Sequence, residues 1–362
     1  MRSTIRVLVV DDSALIRQML TRALSVDPRI EIVGTAKTGV EAIERARDAA
    51  PDVITLDIEM PEMTGLEALP HIRRYSSARV VMLSSLDDPE TTYQALSAGA
   101  VDFLCKPKTG MASSLSDLTE TLLKKIRTAY RIDPHRLNRS NEPAAEEDGG
   151  ESDEGAGARV STESDAAAPS SIVAIAASTG GPPALERVLS GLSASIPAAY
   201  LIVQHLPVGF SMSLAKRLST VSDVGVVEAV DMQPVRSGCA YLAPYGSHMR
   251  LGDAGGTPVI RLSDEPPMHG VRPAADPLFE SVAVGYGERA VGVVLTGMGT
   301  DGAVGLKAIR EAGGSTIVQN EETSVVWGMP GAAMRHGAAK HVVPIGLVAA
   351  EIRRCTRVGR PV

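Results

Sequence analysis

The chain has 362 residues, a formal net charge of −7 and three cysteines. That length exceeds one ordinary domain and predicts two, each large enough to bury its own core. Cys105, Cys239 and Cys355 stand far apart without metal-ligand spacing, which argues against zinc and for a reducing compartment, and no stretch of about eighteen consecutive apolar residues occurs, so a cytoplasmic protein without direct membrane insertion is expected.

The first 130 residues alternate short apolar runs with amphipathic stretches. Strands are expected at residues 5–10, 30–36, 53–56, 80–83 and 101–104, with helices after Ser13, from Val40, after Gly65, from Pro89 and over 115–129. Five such β–α units predict a doubly wound parallel sheet. Acidic residues close two of the strands, Asp11 and Asp12 after the first and Asp57 after the third. Carboxylates converging on one edge repel one another unless a divalent ion sits among them. Lys106, after the fifth strand, is a candidate balancing cation. The plainer reading makes Asp11 and Asp12 caps of the next helix, Lys106 a surface residue and Phe103 ordinary core packing.

Val9-Val10-Asp11-Asp12-Ser13, Thr55-Leu56-Asp57-Ile58-Glu59-Met60-Pro61, Ser84-Ser85 and Phe103-Leu104-Cys105-Lys106-Pro107 together resemble the receiver domain of two-component response regulators, over residues 1–130. The resemblance implies a flavodoxin-like sheet and phosphorylation of Asp57 by a phosphohistidine kinase. It implies Mg²⁺ held by Asp12 and Asp57 directly, by Asp11 through water and by the Glu59 backbone carbonyl. Lys106 would pair with the phosphoryl group, Ser84 would move its hydroxyl towards it, and Phe103 would be a switch aromatic. A carboxylate is a poor nucleophile until cations neutralise the phosphoryl oxygens and fix an in-line approach, which is why the chemistry needs these residue types.

Residues 142–165 carry nine Asp/Glu against a lone Arg159, with Gly, Ser, Ala and Pro and no aromatic residue. Such a segment cannot bury enough apolar area to offset its ordering entropy. Residues 131–169 are therefore expected to form an acidic flexible linker, extended by self-repulsion, and a second domain is expected over 170–360.

In residues 171–362 the charges nearly cancel, 16 Lys/Arg against 15 Asp/Glu, and no basic stripe marks a nucleic-acid surface. Three apolar runs each end in a compact turn. Residues 172–177 lead into Ser178-Thr179-Gly180-Gly181-Pro182, residues 200–204 into His205-Leu206-Pro207, and residues 291–295 into Thr296-Gly297-Met298-Gly299-Thr300-Asp301-Gly302. Read as buried parallel strands, they bring Ser178, His205 and Asp301 to the edge where open α/β sheets place ligands. A Ser, a His and an Asp are the parts of a serine hydrolase.

Each part also has a plainer reading. Ser178 is a possible N-cap of the helix that resumes at 184–189, and Asp301 a possible cap of a helix over 302–311. Pro182 or Pro183 suits a first helical turn, whose N–H groups are expected to face an anionic tetrahedral intermediate. Gly297 and Gly299 suggest backbone exposed to a ligand. Of the other histidines here, His269 in a Pro-rich loop and His336 after an Ala-rich stretch are expected on the surface. The glycine-rich turn lacks the endings of a P-loop, a dinucleotide fingerprint and the Gly-x-Ser-x-Gly elbow.

Ala176-Ala177-Ser178-Thr179-Gly180-Gly181-Pro182, Gln204-His205-Leu206-Pro207 with Phe210, and Leu295 through Gly302 resemble the effector domain of the chemotaxis protein-glutamate methylesterases, the CheB family. With the receiver-like half in front, that resemblance covers nearly the whole chain and implies two doubly wound parallel-sheet domains, the second Rossmann-like. It implies a catalytic triad of Ser178, His205 and Asp301, with Thr179 and Met298 beside the site through backbone contacts to the oxyanion. Ala177 departs from the family, where a Gly often stands. The implied reaction is hydrolysis of γ-glutamyl methyl esters on chemoreceptor cytoplasmic helices, with glutamine deamidation by the same acyl chemistry and no cofactor for the esterase step. An unphosphorylated receiver that covers the edge bearing Ser178, and a phosphorylated one that exposes it, would couple the two halves. A receiver-regulated binding module and a DNA-binding regulator are the other classes, the latter resting only on the basic tail at Arg353, Arg354, Arg357 and Arg360.

Overall fold

The computed structural model describes residues 4–84, 89–106, 115–134 and 168–358. Most of the expected linker, together with Ser85, Pro107 and Arg360, lies outside them. The chain divides into two compact units, Met1–Asn141 and Glu142–Val362.

The first unit runs β1 (Ile5–Val10), α1 (Ala14–Leu24), β2 (Ile30–Ala36), α2 (Gly39–Ala49), β3 (Val53–Asp57), α3 (Gly65–Tyr75), β4 (Arg79–Ser84), α4 (Pro89–Ser97), β5 (Asp102–Cys105) and α5 (Leu115–Arg131). Its strands pair in parallel in the order β2-β1-β3-β4-β5. The central strands are covered on both faces, so β3 is buried at every residue and the sequence shows an unbroken apolar run. Helix starts are chemically marked. Ser13, Thr38 and Thr64 each accept a first-turn N–H, and Thr64 with Glu67 forms a capping box. Ser13, not Asp11 or Asp12, is the cap of α1, which removes the plainer reading of those two carboxylates. Because β2 and β3 lie on opposite sides of β1, the order reverses there, and Asp11 and Asp12 follow β1 at this switch point.

The second unit contains β6 (Ser171–Ala177), α6 (Gly181–Leu189), β7 (Ala198–Gln204), α7 (Ser211–Thr220), β8 (Gly225–Glu228), β9 (Cys239–Leu242), β10 (His248–Ala254), β11 (Thr257–Ser263), α8 (Ala275–Tyr286), β12 (Ala290–Val294), α9 (Ala303–Glu311), β13 (Ser315–Gln319), α10 (Met329–Arg335), β14 (His341–Val343) and α11 (Ile345–Val358). Seven strands pair in parallel in the order β14-β13-β12-β6-β7-β9-β8. Here β6 is the switch strand, with β7 on one side and β12 on the other, so the residue after β6 enters the crevice where such sheets bind ligands. That residue is Ser178.

With few large aromatics, this core is built from Ile, Val, Leu and Ala of the strands packed against Phe279 and Val282 of α8 and Leu306 and Ile309 of α9. Gly305 lets the two helices touch, since a Cβ there would lie 2.6 Å from the Phe279 Cβ. An antiparallel hairpin, β10–β11, adds to the expected parallel architecture. Its two-residue turn places Gly255 and Gly256 at φ +67° and +89°, the left-handed values such a turn requires. Among the described residues no helix is long and apolar enough to cross a membrane.

Candidate active site and phosphoacceptor site

In the β6–β7 register Ala177 pairs with Gln204, so Ser178 and His205 leave adjacent strands side by side. Neighbouring strands lie about 4.8 Å apart. The His205 N–H donates to Ala177 O at 3.2 Å, and the Ser178 N–H donates to Thr296 O, just beyond β12, at 3.0 Å. Asp301 follows the turn after β12, and its Oδ2 lies 2.8 Å from His205 Nε2. The three residues expected to meet therefore occupy one edge of the sheet. No hydrogen bond joins the Ser178 hydroxyl to the imidazole among the described residues. Since Nε2 faces Asp301, Nδ1 is the nitrogen left for it.

Asp301 is buried, 2% exposed, and that burial pushes its carboxyl up. The His205 hydrogen bond and charge, with the Ala275 and Asp276 N–H groups, outweigh burial and hold it below the ordinary carboxylate value. It is thus the ionised acceptor, and Nε2 carries the proton between them. Those N–H groups, at 2.7 and 3.2 Å, open α8. Asp301 does not cap the helix that follows it in sequence, because α9 starts from Gly302 without a side-chain cap. That service comes from Asp276, whose Oδ1 accepts the Gly305 N–H at 2.7 Å. His269 Nε2 lies 2.7 Å from Asp276 Oδ2 and 4.0 Å from Asp301 Oδ1. His269 is exposed as expected, yet it is tied to the buried carboxylate pair, a role its sequence context did not signal. His336 is also exposed.

The glycine-rich turns serve close packing more than ligand access. Gly297 is buried rather than open, and a Cβ there would lie 2.4 Å from Met329 Sδ and 2.9 Å from Ser178 Cβ. Gly299 is the exposed one, at φ +96°. The cap of α6 is Gly180 at φ +76°, with no side-chain cap bond, so Ser178 is not a helix cap. Of the first three residues of α6, Pro182 and Pro183 have no N–H, and the Gly181 N–H donates to Ser178 O at 2.7 Å. That helix end offers an oxyanion its dipole but not the N–H groups expected there. Thr179 follows Ser178 directly, and Gly297, the residue before Met298, packs against Ser178.

In the first unit, one oxygen from each of Asp11, Asp12 and Asp57 lies within 4.8 Å of the others. Lys106 Nζ sits 2.6 Å from Asp57 Oδ2 and 2.9 Å from Asp11 Oδ2. Burial pushes the Asp57 carboxyl up to about 6 against the pull of the Lys106 hydrogen bond, and the Asp11 charge adds to the rise. A cluster of hard carboxylate oxygens with excess negative charge fits a divalent cation such as Mg²⁺. The Glu59 N–H donates to Asp57 Oδ1 at 3.3 Å. Ser84 Oγ shares a 2.6 Å hydrogen bond with Thr92 Oγ1, and Phe103 is buried, with Lys125 Nζ 5.8 Å from its ring centre.

A family model described as CheB methylesterase matches residues 173–352, and one described as response regulator receiver domain matches residues 7–113. A protein-glutamate methylesterase/protein-glutamine glutaminase of Hydrogenovibrio crunogenus is 40% identical, over 97% of this chain and 98% of its own. A counterpart of that name from Xanthomonas campestris pv. campestris is 45% identical over 96% of each. The crystal structure of the Thermotoga maritima CheB methylesterase catalytic domain superposes with a TM-score of 0.50 at 36% identity, covering 51% of this chain and 97% of that one.

Proposed function

Because the chain belongs to the CheB methylesterase family, with a receiver domain ahead of the esterase domain, we propose that it hydrolyses glutamate γ-methyl esters on chemoreceptor cytoplasmic helices, and that Ser178, His205 and Asp301 carry the reaction. The observation that carries this reading is the 2.8 Å contact of His205 Nε2 with a buried, ionised Asp301 on the rim where Ser178 emerges.

His205 Nδ1 takes the Ser178 proton as Oγ attacks the ester carbonyl, and Asp301 holds the ring and balances the imidazolium. Backbone N–H groups at Thr179 and Met298 face the oxyanion. The imidazolium returns its proton to the departing methoxide, methanol leaves, and water activated by the same nitrogen hydrolyses the acyl-enzyme to the glutamate carboxylate. A primary amide in place of the ester loses ammonia by the same steps, which is glutamine deamidation.

In the receiver, Asp57 is the phosphoacceptor and a chemotaxis histidine kinase the phosphodonor. Asp12 and Asp57, Asp11 through water, and the Glu59 carbonyl would hold Mg²⁺, which when bound neutralises phosphoryl oxygens during transfer. Lys106 pairs with the phosphoryl group, and Ser84 leaves Thr92 to reach it while Phe103 switches. Phosphorylation releases a restraint on the esterase, and the enzyme works in the cytoplasm, where receptor helices are methylated. The test is methanol release from methyl-labelled receptor membranes with and without acetyl phosphate. Release that acetyl phosphate stimulates and that Ser178→Ala abolishes is expected. No release under either condition would refute the activity.

A further inference from the structure

Gln204, the last residue of β7 and the one before His205, is 2% exposed, and its side chain reaches across to the segment that carries Ser178. Its Nε2 donates to Ser178 O at 2.9 Å and to His205 O at 3.1 Å. The orientation of the carboxamide follows from its surroundings, because two backbone carbonyls can only accept and so require the NH₂ between them. Both protons of one amide thereby tie the carbonyl of the proposed nucleophile to that of the proposed base.

The opposite side of the amide is equally particular. Gln204 Oε1 is buried with no hydrogen-bond partner among the described residues, an arrangement that leaves an acceptor unsatisfied in the interior. It fits only because residue 181 is glycine, since a Cβ there would lie 1.9 Å from Oε1. A buried orphan acceptor is a cost that packing alone does not explain, as an apolar side chain of this length would avoid it.

The surrounding bonds show what the amide achieves. The Ser178 N–H is held by Thr296 O, and its carbonyl takes Gln204 Nε2 and the Gly181 N–H. The His205 N–H is held by Ala177 O, and its carbonyl takes the second proton of Nε2. Each of the two residues is thus fixed at both of its backbone polar groups, and the shared amide sets their separation. A rate that depends on near-attack geometry falls about 100-fold for a displacement of about 1 Å.

We propose that Gln204 is a positioning residue that sets the spacing of Ser178 and His205 through their main-chain carbonyls, with Gly181 kept small to seat its carboxamide. This rests on the esterase reading above. Gln204→Met, which keeps the length and loses both donors, lowers kcat for methyl-ester hydrolysis about 10- to 100-fold with KM changed less than about threefold, and slows fluorophosphonate labelling of Ser178 by the same factor. Gly181→Ala pushes the carboxamide out of its seat and produces a similar loss. The decisive readout is the double variant, which loses no more than the larger single loss because both changes break one device.

Losses that multiply in the double variant, or wild-type kcat and labelling in Gln204→Met, overturn the proposal. If Gln204→Met does not fold, Gly181→Ala alone decides, since wild-type kcat and labelling there count against it. Absence of ester hydrolysis by the wild-type full chain strikes the esterase reading instead, so the two failures are distinguishable.

Discussion

Asp276 and Asp301 cap each other's helices. Asp301 accepts the Ala275 and Asp276 N–H groups at the start of α8, and Asp276 accepts the Gly305 N–H in the first turn of α9. Two buried carboxylates this close are tolerable because each faces a positive helix end and each meets an imidazole, His205 on Asp301 and His269 on Asp276. The carboxylate that orients His205 is therefore seated by a helix corner rather than by its own turn.

Asp301→Asn is expected to lower kcat by about 10⁴-fold with little change in KM, because a carboxamide stabilises the wrong imidazole tautomer and no longer balances its charge. Steady-state kinetics on methylated receptor membranes check this. A loss below tenfold would leave Asp301 a structural cap only.

Asp276→Ala leaves the Gly305 N–H unpaired at a buried helix start and is expected to destabilise the protein by about 1–2 kcal/mol. Urea unfolding of the full chain reads that change, while kcat falls much less than in Asp301→Asn. An unaltered midpoint would mean that the reciprocal cap contributes nothing measurable.

The pH dependence of stability follows from the lowered Asp301 value. A carboxyl whose folded pKa lies below its unfolded one stabilises fully above the unfolded value, about 4, and loses that stabilisation as pH falls through the folded value. The stability gap between wild type and Asp301→Asn is thus expected to be constant near neutrality and to narrow below about pH 4. A gap that widens towards acid contradicts the sign.

Asp57→Asn removes the proposed phosphoacceptor while leaving the sequence of the second unit unchanged. A basal esterase that acetyl phosphate does not stimulate is expected, measured beside a wild type that it does. Stimulation of the variant to the wild-type level would place the phosphoacceptor elsewhere.

The strands that carry the candidate sites were legible because double burial makes them unbroken apolar runs. β1 and β2 begin and end where the periodicity put them, and β6, β7 and β12 end within a residue or so of the turns that bear Ser178, His205 and Asp301. Short or half-exposed strands such as β8, Gly225–Glu228, and β10, whose run His-Met-Arg-Leu-Gly-Asp-Ala mixes polar and apolar residues, carry no comparable signal. The helix that Asp301 caps is hidden from the sequence for a different reason. Local chemistry favours the next helix, whereas the actual partner, α8, lies 26 residues back in the chain and is brought close only by tertiary packing. Gly297 looks open for a ligand in sequence although it is buried, because a glycine needed for backbone access and one needed for close packing carry the same signal.

The central claim is that Ser178 is a nucleophile activated by His205. The most direct measurement is mass spectrometry of the full chain after reaction with a fluorophosphonate, for wild type, Ser178→Ala and His205→Ala. One adduct on the peptide containing Ser178 is predicted, absent in Ser178→Ala and formed far more slowly in His205→Ala. An adduct on another residue, or none in a wild type that still releases methanol from methylated receptors, would contradict it.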